Sequence, residues 1–98
     1  MDSKQVSLMA ASTAAILGPY AKALQAGDTS ACDPRAEPLW KLIEARSGNY
    51  PAAREALSDM HSDPNDADAK AGLRWQVRKM ATTEAGFGCD LAAVLSHE

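Results

Sequence analysis

Two histidines, His61 and His97, two cysteines, Cys32 and Cys89, and the aspartates Asp63, Asp66 and Asp68 are the residues whose types could support chemistry. A zinc ion would draw three or four ligands from the histidines and cysteines, and structural sites place those ligands at short, regular spacings. No pair here stands at i, i+4 or in C-x-x-C spacing. They read instead as exposed helix-end histidines and inert thiols. A nucleophilic Cys89 would need a neighbouring cation to lower its thiol pKa. Gly88 and Asp90 supply none, so a buried or half-buried inert thiol is expected. The aspartates lack the central glycine and terminal glutamate of a calcium loop, and helix capping accounts for them. No strand–turn–helix elbow frames a serine. The expectation is therefore a non-enzyme with no catalytic residues, no metal and no cofactor.

Trp75 offers contact rather than catalysis. It is flanked by Arg74, Arg78 and Lys79, the combination of an aromatic anchor and guanidinium groups that dominates many protein contacts. At 100° per residue it points away from the stripe Ala69, Leu73, Val77, Met80. Two readings follow. Either Trp75 is an exposed anchor, or its helix is central, buried on two sides, with Trp75 packed on the first helix. The expected interaction surface is Trp75, Arg74 and Arg78, with Tyr20 and Lys22 as a second patch. Trp40 adjoins a strong apolar stripe and is expected in the core.

The elements that must carry these residues are helices. A single domain over 1–98 is expected, beginning with an Ala-rich helix over 1–26 on which Val6, Met9, Thr13, Ile16 and Leu17 keep helical spacing. Gly18-Pro19 predicts a kink or split there, and Gly27 a stop. Residues 27–37 read as a loop, long enough to be either mobile or functionally used. Four helices follow over 38–98. The first opens at Pro38 with the stripe Leu39, Leu42, Ile43. The second opens at Pro51 with Ala53, Ala56, Leu57, Met60. The third is capped by Asn65 or Asp66, and the last carries Phe87, Leu91, Val94 and Leu95. Gly86 and Gly88 weaken that last helix. No segment alternates with period two, so the fold class is all-α, a compact bundle of about five short helices without a sheet.

Composition narrows the function classes. The chain has 98 residues, 46% of them hydrophobic, and a formal net charge of −3. Much of the apolar share is alanine, so large residues such as Leu8, Leu17, Leu39 and Phe87 must supply most of the buried area. A mildly acidic chain attracts phosphate backbones little, so no nucleic acid is expected. The run from Val6 to Leu17 is too short to span a bilayer, and no small-molecule substrate is indicated. It is expected to be a retained helix rather than a cleaved leader, in a cytoplasmic protein with reduced thiols. The alternative is a small secreted helical protein stapled by a Cys32–Cys89 disulfide.

The stretch from Leu39 to Leu95 resembles small α-helical modules of bacterial signalling and conflict systems, of the effector-associated type. The resemblance rests on Leu39-Trp40 and Pro51-Ala52-Ala53 opening two helices, and on the acidic turn from Asp63 to Asp68 before Leu73-Arg74-Trp75. Phe87, Leu91, Val94 and Leu95 complete it, and Thr13 to Tyr20 is similar to the leader of such proteins. It implies an adaptor role by homotypic or heterotypic helix packing in a death-like arrangement, with a protein partner or self-association and no catalytic residues. Gly86 and Gly88 depart from the alanine-rich last helix of that pattern.

Overall fold

The computed structural model of the chain describes residues 2–96. Five α-helices follow one another: α1 (Ser3–Ala26), α2 (Ala36–Arg46), α3 (Pro51–Ser62), α4 (Ala67–Thr83) and α5 (Ala85–Ser96). A single 3-10 turn over Ser47–Asn49 links α2 to α3, and there is no strand among the described residues.

Local chemistry sets most boundaries. The Asp2 carboxylate accepts the Gln5 backbone N–H at 2.8 Å, which caps α1. Gly27 ends α1 in the left-handed region at φ 81°, with its N–H on Leu24 O and the Asp28 N–H on Ala23 O. Only glycine takes that conformation freely. Asp66 caps α4 by accepting the Asp68 N–H at 2.9 Å, and Asp68 adds negative charge in the first turn. Asp63 contributes its backbone carbonyl to that turn, accepting from Asp66 N.

Two boundaries depart from the sequence pattern. Pro19 neither splits α1 nor ends it. Ala15, whose carbonyl loses its partner at Pro19, and Pro19 itself both lie on the exposed side, where solvent satisfies the orphaned oxygen. Helix α2 begins at Ala36, two residues before Pro38. Pro38 still falls in the first turn, where a backbone N–H has no intrahelical partner to lose. The preceding connection is tied down by its own bonds. Asp28 accepts from Ser30 N and Asp33 from Arg35 N, while the Arg35 guanidinium reaches Asp33 and the Leu95 carbonyl.

Leu17, Leu39, Ile43, Met60, Leu73, Val77, Met80, Phe87 and Leu91 form the centre of the core, all fully buried. Helix α1 packs most extensively on α4. The pairing is antiparallel, because Ser3 and Val6 meet Ala81 and Thr82 at one end while Gly18 meets Lys70 at the other. Ala10, Ala14 and Gly18, spaced by four on α1, are buried and form a ridge of small residues. Such a ridge lets another helix come near, and the Lys70 stem lies over Gly18, where an added Cβ would stand 3.2 Å from Lys70 Cε. The contacts that α2 and α3 make with each other are far sparser.

Candidate functional site

Trp75 is 52% exposed, which settles its two readings in favour of the surface. Its ring is covered in part by Arg78, whose guanidinium carbon lies 5.4 Å from the ring centroid. That is cation–π range, and it holds two long side chains in one arrangement. Arg74, one turn before Arg78, is also exposed.

Beside Trp75, between α1 and α4, runs a trough of about 200 Å³. Ser7, Ala10 and Ala11 line it from α1, and Ala71, Arg74, Trp75 and Arg78 from α4. Ala10, which belongs to the small-residue ridge, joins Ala11 and Ala71 in a shallow apolar floor at the surface. Leu8, one turn from Ala11, is 60% exposed. Leu8 and Trp75 are the two large hydrophobic side chains exposed among the described residues, and both flank this pair of helices. The expectation that Leu8 helps fill the core is corrected. On α1 it falls on the face of Lys4, Ala11, Ala15, Pro19 and Lys22, all exposed.

The second expected patch does not form. Tyr20 is buried at 7% exposure, with its ring centroid 5.7 Å from that of Trp40. Burial, with Glu37 next in influence, raises its phenol pKa. Lys22 is exposed. Two residues apart on a helix is about 200° of rotation, so Tyr20 and Lys22 face nearly opposite ways. Lys22 belongs instead to the solvent face that begins at Lys4.

A second cleft, of about 400 Å³, opens where α2 and α3 splay. Its walls include Leu24, Trp40, Glu44, Arg54, Ser58 and His61. Trp40 is half-buried and packs on the core, and His61 stands 6.5 Å from it, ring centre to ring centre. The Gln25 side-chain amide donates to the carbonyls of His61 and Ser62, tying the end of α1 to the end of α3. Nothing in the spacing of Trp40, Arg54 and His61 announces this cleft, because it depends on how two helices diverge.

The remaining chemistry-bearing residues are dispersed. His61 is exposed near the end of α3, and His97 lies outside the described residues. Among the described residues, no group of three His, Cys, Asp or Glu side chains is placed to hold a metal ion. Both cysteines are free thiols, Cys32 half-buried and Cys89 exposed, which corrects the expectation that Cys89 is at least half-buried. They line separate clefts. No disulfide joins Cys32 and Cys89 in this structure. No helix among the described residues is long and apolar enough to cross a membrane.

No family model, curated protein or solved structure matches this chain.

Proposed function

We propose that this chain is a protein–protein interaction or adaptor module that acts by contact rather than by turning over a substrate, with the α1/α4 face as its docking surface. The observation that carries this reading is the exposure of Trp75 at 52%, with Arg78 over its ring, beside an alanine-floored trough. An exposed large aromatic side chain beside an apolar depression is the kind of surface feature that marks a contact site. Tryptophan and arginine are the residue types that dominate such contacts energetically. The resemblance to effector-associated modules fits an adaptor in bacterial signalling or conflict response.

The test is site-specific photo-crosslinking in cells of the source organism. A photoreactive residue at position 75 or 11 should give discrete protein adducts, and one at position 55, on the exposed side of α3, should not. Adducts of equal yield from position 55, or adducts from position 75 that persist when Arg74 and Arg78 are replaced, would count against this face.

A further inference from the structure

We infer that the α1/α4 face receives an acidic amphipathic helix of a different protein, with one apolar side chain in the Ala11–Ala71 trough and carboxylates on Arg74 and Arg78. This rests on the docking reading above and adds the chemistry of the partner.

The argument begins with how charge is divided. Helices α1 and α4 together carry six basic residues, Lys4, Lys22, Lys70, Arg74, Arg78 and Lys79, against one acid, Asp68. That is a net +5 on two helices packed side by side. The rest of the chain holds the other four basic residues and twelve acids, a net −8, and the two parts give the overall −3. Three of the four basic residues elsewhere are paired: Arg35 with Asp33, Lys41 with Glu37 and Arg46 with Asp90. Among the described residues, none of the six on α1 and α4 makes an ion pair. At the trough itself the charged lining residues are Arg74 and Arg78, and neither has an ion-pair partner among the described residues.

Geometry then selects the form of the partner. Arg74 and Arg78 are one turn apart, about 6 Å, which matches two carboxylates at i and i+4 on a facing helix. The trough between them and α1 has room for an apolar side chain, with Trp75 as one wall. A second copy of this chain would bring the acids but no anchor, because both exposed large hydrophobics, Leu8 and Trp75, lie on the basic helices. A nucleic acid would meet the −8 remainder at close range, and a stacking base would have to displace Arg78 from the Trp75 ring.

The experiment uses the full chain and three dye-labelled helix-forming peptides with one shared leucine spacing, flanked by glutamate, glutamine or lysine. Fluorescence anisotropy should show the glutamate peptide binding most tightly, weakening at least tenfold in Arg74→Glu/Arg78→Glu and with added salt. The milder Arg74→Gln/Arg78→Gln variant should fall between, with circular dichroism confirming an unchanged fold. Glutamine or lysine peptides binding as tightly as glutamate would overturn the acidic partner while leaving the docking face standing. Binding of none of the three would overturn the helical partner, and crosslinking from position 75 then tells whether the face itself has failed. Tighter binding of oligothymidylate or of anionic vesicles, or a dimer in light scattering that the arginine variants dissociate, would also overturn it.

Discussion

Trp75 and Trp40 are treated in opposite ways by the two regions that hold them. Around Trp40, α2 and α3 diverge, and a large ring is drawn inward against Tyr20 and His61. Around Trp75, α1 and α4 pack through alanine and glycine, and the indole stands at the rim of the trough between them. The helix pair that packs through small side chains thus leaves its large one outside, over a basic surface, while the looser pair takes its large residue in. Packing, not hydrophobicity, decides which tryptophan is available to a partner.

The contrast can be broken at either tryptophan. Trp40→Ala should cost about 3 kcal/mol in denaturant unfolding, since it empties the contact with Tyr20 and the core. Trp75→Ala should stay within about 0.5 kcal/mol of the parent in the same measurement, as surface substitutions do. Equal losses at the two positions would erase the distinction. Ala10 is fully buried on the small-residue ridge, so Ala10→Leu should destabilise by about 2 kcal/mol through overpacking of α1 on α4. A neutral result would mean the two helices do not depend on that ridge.

A smaller effect sharpens the picture on α4. A Cβ at Gly72 would meet nothing within 4 Å, so Gly72→Ala should raise stability by about 0.8 kcal/mol through helix propensity alone. Thermal unfolding would register this as a higher Tm without loss of peptide binding. The smallest effect is a pH dependence on the acidic side. Hydrogen bonds from Arg35 lower the Asp33 carboxyl to about 2. A depressed carboxyl stabilises the fold above its unfolded pKa, near 4, and the contribution is lost as pH falls through about 2. Unfolding curves of Asp33→Asn and the parent should therefore differ above pH 4 and converge near pH 2.

Most of the fold was legible in the chain because large apolar residues at helical spacing have one inward direction. Leu39 with Ile43, Leu73 with Val77 and Met80, and Phe87 with Leu91 are all buried as that spacing predicts. The misses share a cause. Periodicity gives the angle of a side chain on its own helix but not which helix lies beside it. Trp75 had two readings until α1 was placed against α4, and Leu8 looked like core until its face proved to have no neighbour. Alanine looked like low-value filling, whereas Ala10 and Ala14 decide where two helices meet. The division of charge was hidden for the same reason, since a net of −3 is a property of the whole chain and its separation appears only when the first and fourth helices stand together.

That pairing also fixes an order of events in the living cell. Gly18 is made early and Lys70 late, yet they are neighbours in the finished molecule. During translation, at about 5–20 residues per second, the nascent first helix waits several seconds for its mate. Until then its alanine ridge and Leu17 lack the surface that buries them, so α1 completes its packing only after α4 has been made.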